Sequence, residues 1–86
     1  MLNLTPKKMI YIAERITVDE NLCNGKPTIR GLGITVKTIL EFLFAGESRE
    51  EILHQYPDLE MEDLDACLNF ALQMADHKHT ILPIAA

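Results

Sequence analysis

The chain has 86 residues, enough for one small domain, and 48% of them are hydrophobic. A domain this short buries only a modest core, so that apolar fraction predicts surface left over for a second chain. With a net charge of −5 and two cysteines, a disulfide framework is excluded. No stretch approaches the ~20 apolar residues of a membrane span, so the chain reads as a cytoplasmic protein with reduced thiols, no signal peptide and no membrane partner.

Charge is unevenly placed along the chain. Residues 1–37 carry six basic and three acidic side chains, and residues 38–86 carry two basic and ten acidic ones. Such asymmetry suggests that the two halves face different things. The basic half suits a phosphate backbone or an acidic protein, and the acidic half is repelled by nucleic acid. The plainer alternative is a solvated acidic surface that keeps the chain soluble.

Residues 1–9 form a lead-in in which Pro6 and Lys7-Lys8 argue against regular structure, and a flexible end is expected. From Ile10 the apolar residues fall at period two. Ile10, Ile12, Ile16 and Val18 share one side, which predicts a strand, most strongly over 15–19. Asp19-Glu20-Asn21 reads as a turn. The stretch 24–36 holds three of the four glycines and joins the extended part of the chain to the helical part. Asn24-Gly25 is a turn dipeptide, and Pro27 keeps Lys26 extended. Thr28-Ile29-Arg30 is a short strand. Gly31-Leu32-Gly33 can reverse the chain and bring Ile34 back beside Ile29. Residues 10–35 are therefore expected to make a small irregular β-hairpin or arm rather than a full sheet.

Residues 36–79 read as a three-helix unit. Thr35 suits the N-cap of a first helix whose apolar face is Val36, Ile39, Leu40, Leu43 and Phe44, ended at Gly46. Ser48 and Glu51 form a capping box for a second helix that stops at Pro57. The third helix starts near Met61. Its apolar positions cover about half the circumference, more than the ~100° stripe that one core contact needs. It should pack on its own core and on something else, a second copy or a partner protein. His77-Lys78-His79 closes it. The tail at 80–86 is apolar and kept extended by Pro83; it either returns to its own domain or docks on a partner.

The helix spacing suits a helix-turn-helix, with the third helix reading DNA. Glu60, Glu62, Asp63 and Asp65 at the start of that helix oppose it, because they repel phosphates. Basic residues lie instead in the arm, where Lys26, Arg30 and Lys37 are the candidate DNA contacts; for Arg30 the alternative is an ion pair with the acidic helices. Phe70, Met74, Ile81, Leu82 and Ile84 are the candidate partner or dimer contacts. Cys23, Cys67, His77 and His79 lack metal-ligand spacing, and Cys67 is more simply core. His54 and Glu50 make an ordinary i, i+4 surface pair. The glycine stretch lacks the order of a phosphate-binding loop. No cofactor, no metal and no enzymatic activity are expected.

Arg15-Ile16-Thr17-Val18-Asp19, then Cys23-Asn24-Gly25-Lys26-Pro27-Thr28-Ile29-Arg30-Gly31, then Ala45-Gly46, Ser48, Glu50-Glu51-Ile52-Leu53, Tyr56-Pro57-Asp58-Leu59 and Asp63-Leu64 together resemble domain-of-unknown-function family 433. The resemblance covers about residues 15–75. It implies a small prokaryotic domain, mainly α, in which a short N-terminal β-strand or β-arm precedes a homeodomain-like helix-turn-helix unit of three helices. It further implies an antitoxin of a type II toxin–antitoxin pair that binds and neutralises a PIN-like ribonuclease toxin, with dimerisation and autoregulatory DNA binding. The rival readings are a stand-alone helix-turn-helix transcriptional regulator and a dimeric interaction module without nucleic acid. The chain departs from the family pattern at Leu32 and Gly33, where a polar residue and arginine are common, at Thr35, where proline is, and at Glu60, where a Thr or Ser cap is. The missing basic residue at Gly33 weakens phosphate contact by the arm.

Overall fold

A computed structural model describes residues 9–76. In chain order the elements are β1 (Ile10–Ala13), β2 (Ile16–Val18), β3 (Thr28–Ile29), α1 (Val36–Phe44), α2 (Arg49–Gln55) and α3 (Met61–Asp76). The lead-in at 1–8, the closing His77-Lys78-His79 and the apolar tail at 80–86 lie outside the described residues.

The alternating stretch from Ile10 to Val18 is not one strand. It folds at Glu14-Arg15 into an antiparallel hairpin, with Arg15 in the left-handed region at φ 66°. The register moves from Tyr11 opposite Thr17 to Ala13 opposite Ile16, so Ile12 is the extra residue of a bulge. β3 adds to the other edge of β2, with Ile16 opposite Ile29 and Thr17 opposite Thr28, to give a three-stranded antiparallel sheet in the order β1-β2-β3. This overturns the expected mainly α fold with a β-arm and a homeodomain-like helix-turn-helix unit. The chain is a mixed domain in which an N-terminal sheet precedes three helices. The β contribution was underestimated because each strand has only two to four residues. A period-two pattern hardly registers over that length, and the pairing comes from partners up to a dozen or so residues away.

The sheet is part of the core, not an appendage. Ile16, Thr17, Thr28 and Ile29 are all 0% exposed. The two threonine hydroxyls lie 3.0 Å apart, and each reaches the other residue's carbonyl at 3.3 Å. Thr17 Oγ1 also accepts from the Gly31 N–H at 2.8 Å. Burial of these polar groups is therefore compensated by hydrogen bonding. Ile16 and Ile29 pack with Val36 and Ile39 of α1, Ile52 of α2, Leu59, and Leu64, Ala66 and Cys67 of α3.

The local punctuation follows the sequence closely. The Asn21 N–H donates to Asp19 Oδ1 at 2.8 Å, which makes the first turn. The Ile29 N–H donates to the Ile34 carbonyl at 3.0 Å, so the glycine turn does bring Ile34 back beside β3. Thr35 Oγ1 accepts from the Thr38 N–H at 3.1 Å, and Ser48 Oγ from the Glu51 N–H at 3.1 Å. α1 ends in a Schellman motif, with Gly46 at φ 93°, the Gly46 N–H on the Leu43 carbonyl and the Glu47 N–H on the Phe42 carbonyl. The rings of Phe42 and Tyr56 meet at 6.0 Å between α1 and the end of α2.

Candidate interaction surface

Two features stand out among the described residues: a charged cluster that is used up inside the fold, and an apolar groove that is not.

The charged cluster is built on Asp63, in the first turn of α3 and 0% exposed. Arg30 approaches it as a fork, Nε to Oδ1 at 2.9 Å and Nη2 to Oδ2 at 2.7 Å, while Arg15 Nη1 reaches Oδ1 at 2.9 Å. The Glu60 N–H donates to Oδ2 at 2.7 Å. With Glu60 at the cap position ahead of this helix, the carboxylate three residues on reaches back and satisfies an orphan donor, which is half of a capping box. Arg15 also donates to Glu60 Oε1 at 2.8 Å, and Arg30 to the Asp58 carbonyl at 3.0 Å. Both arginines sit on left-handed backbone, Arg15 at φ 66° and Arg30 at φ 47°, and are joined by a hydrogen bond from the Arg30 N–H to the Arg15 carbonyl. Their turns are held in this uncommon conformation by the carboxylate between them. Burial by itself raises the pKa of the Asp63 carboxyl; the hydrogen bonds from Arg30, Glu60 N–H and Arg15 outweigh that and bring it down to about 2. The same contacts, with Glu60 and Asp63 foremost for Arg15 and Asp63 for Arg30, hold both guanidiniums more firmly protonated.

Three of the four acidic residues at the start of α3 therefore have arginine partners. Arg15 and Arg30 serve Glu60 and Asp63, and Arg49 of α2 pairs with Asp65 at 2.8 Å. Of the candidate DNA contacts, Arg30 is committed to this cluster. Lys37 makes an exposed pair with Glu41 at 3.2 Å one turn along α1.

The groove lies between α1 and α3 and encloses about 1130 Å³. Leu40, Leu43 and Phe44 form one wall, and Phe70, Ala71 and Met74 the other. Lys26 and Lys37 line it beside Pro27, at the end set by the start of α1. The groove exists because the core-facing side of α3 runs on past the domain. Leu64 and Cys67 are 0% exposed, whereas Met74, two turns further along the same side, is 47% exposed. Phe44, the last residue of α1, is 95% exposed. A second row on α3, Leu68 and Leu72, is 40% and 69% exposed. Phe70 and Met74 thus line an open apolar surface, and Lys26 and Lys37 line the same groove. Ile81, Leu82 and Ile84 lie outside the described residues.

The ion pair of Arg30 with the acidic helices, the alternative the sequence offers, is made, but the sequence does not single out Asp63 as the carboxylate that receives it. A signal was present: an arginine flanked by glycine in the arm and a carboxylate three residues after the cap position Glu60. Cys67 is 0% exposed, and burial, then the nearby Asp63 charge, push its thiol up to about 12. Cys23 is partly exposed and donates to the Gly33 carbonyl at 3.5 Å. Among the described residues no three His, Cys, Asp or Glu side chains are grouped to hold a metal ion, and no helix is long and apolar enough to cross a membrane.

A short sheet locked to three helices by one arginine–carboxylate cluster is the structural class defined here. The family model for the protein of unknown function DUF433 matches residues 16–71, and the chain belongs to that family. Neither a curated protein nor a solved structure matches the chain.

Proposed function

We propose that this chain is the antitoxin-like component of a type II toxin–antitoxin pair. It acts in the cytoplasm, without enzymatic activity, as a homodimer that binds and neutralises a PIN-like ribonuclease. The observation that carries the reading is open apolar surface on α1 and α3, which the homodimer covers, together with a net charge of −5 that suits a basic partner. An inhibitor of a ribonuclease has to cover a basic, phosphate-binding surface, and residues 38–86, with ten acidic and two basic side chains, have the charge for it. The apolar residues Ile81, Leu82 and Ile84 follow α3 and supply anchors of the kind that dominate such contacts.

Co-expression tests this directly. The product of the reading frame next to the gene, if it is a small nuclease, co-purifies with the chain and loses RNA cleavage. Deletion of residues 80–86 abolishes co-purification while the thermal transition of the chain is kept. Nuclease activity unchanged by a molar excess of the chain rejects the reading.

DNA binding is the rival, with Lys26, Arg30 and Lys37 as contacts. Lys26 and Lys37 both line the groove between α1 and α3. Three cationic side chains give a salt-sensitive but shallow dependence of affinity, and the commitment of Arg30 to Asp63 reduces it further. A gel shift on the upstream region of the gene, titrated with salt, decides this: absence of a salt-sensitive shift at micromolar protein excludes it.

A further inference from the structure

We propose that the groove between α1 and α3 is occupied by α3 of a second copy of this chain, in a two-fold dimer. The proposal rests on the homodimer in the reading above and assigns its contact.

Leu68, Leu72 and Asp76 are spaced four residues apart on α3, so they form one row on the helix surface. That row carries two exposed leucines and ends in a carboxylate. Along the α1 wall of the groove, Phe44 and Leu40 are followed by Lys37, with Lys26 beside it. The row spans about 12 Å and the distance from Phe44 to Lys37 is about 10.5 Å, both from the 1.5 Å rise per residue. Laid antiparallel to α1, the row puts Leu68 against Phe44 of the other copy. Leu72 then falls near Leu40, and Asp76 meets Lys37 and Lys26 at the start of α1, where the helix dipole also favours an anion. The Lys37–Glu41 pair is exposed, at 74% and 65% of side-chain surface, so exchanging it for an intermolecular partner costs little.

The charge on the rim argues against the other occupants. Of the three charged side chains that line the groove two are basic, Lys26 and Lys37, and one is acidic, Glu41, which Lys37 already pairs, so the groove carries a net positive charge that suits a carboxylate such as Asp76 better than a basic nuclease surface. Phe44 alone exposes on the order of 200 Å², and a standard interface takes about 800 Å² from each partner. Leu68 also lines its own groove, so in the two-fold dimer the two α3 helices approach one another near the axis and each groove is closed by the other copy.

The test is the oligomeric state of the full chain, followed by sedimentation velocity from micromolar to sub-millimolar protein. The wild type is a dimer. Phe44→Glu and Leu72→Glu change exposed side chains, and each makes the chain monomeric over that range with an unchanged thermal transition. Lys37→Glu and Asp76→Lys each weaken the dimer roughly tenfold, and the double variant Lys37→Glu/Asp76→Lys recovers it. A monomeric wild type overturns the proposal, as does a dimer untouched by Phe44→Glu and Leu72→Glu. Loss of nuclease co-purification in those two variants with the dimer intact also overturns it, because the groove then belongs to the nuclease. Capture of the nuclease is measured separately, so failure of the contact and failure of the antitoxin reading are read from different experiments.

Discussion

The carboxylate of Asp63 accepts four hydrogen bonds while fully buried, and this makes the stability of the domain depend on pH in a definite direction. Its pKa is about 2 in the folded chain against an ordinary 3.8. The stabilisation is therefore complete above about pH 4 and is lost as pH falls through that value towards 2. Its size is about 2 kcal/mol. Chemical denaturation of the wild type at descending pH shows that loss, and Asp63→Asn flattens the profile while lowering stability at pH 7 by about 3 kcal/mol, since two arginines are left facing a neutral amide. Arg30→Lys does not restore stability relative to Arg30→Ala, because an ammonium cannot reproduce the fork on both carboxylate oxygens. Arg49→Ala, which removes a more exposed pair with Asp65, costs under about 1 kcal/mol. The two cysteines separate cleanly under thiol labelling at pH 8. Cys23 reacts in the folded chain, and Cys67, with its thiol at about 12, reacts only on unfolding.

At the scale of elements, helix ends and strands behaved differently. The Thr35 and Ser48 caps, the Gly46 stop and the Asp19 turn were legible because each is a bond between residues two to five apart. Replacing Thr35 or Ser48 by alanine costs about 1 kcal/mol each, read as a shift in the denaturation midpoint. Gly46→Ala costs about 1–2 kcal/mol by the same measurement, for backbone reasons alone, since a Cβ there meets nothing within 4 Å. The hairpin turn at Glu14-Arg15 was not legible. It lacks glycine, asparagine and aspartate, and the side chain of Arg15, which stands at positive φ in that turn, is held by Asp63 and Glu60, both more than forty residues away. β3 was legible as a short strand at 28–30, but its place in a sheet was not: two residues carry no register, and their pairing is with β2.

At the scale of the molecule, the difference in charge between the two halves of the chain is partly an adhesive between them. Arg15 and Arg30 from the basic half close on Glu60 and Asp63 from the acidic half. Sheet and helices are thereby one cooperative unit. Amide exchange should show β2 and the first half of α3 opening together at the full unfolding free energy, with the last turn of α3 opening at a lower one. Separate protection levels for β2 and the start of α3 would refute that coupling.

The sequence alone determined the positions of the three helices, the caps and stops of the first two, the reversal at the glycine stretch, the excess of apolar surface on α3 and the family. All of these rest on neighbours in the chain or on a helical period. Only the tertiary structure decided that the arm is a sheet within the core and that Arg30 is spent on Asp63. It also decided where the excess apolar surface gathers, in a groove between α1 and α3. Those outcomes depend on which distant residues meet, and hydrophobic period and turn chemistry carry no record of that.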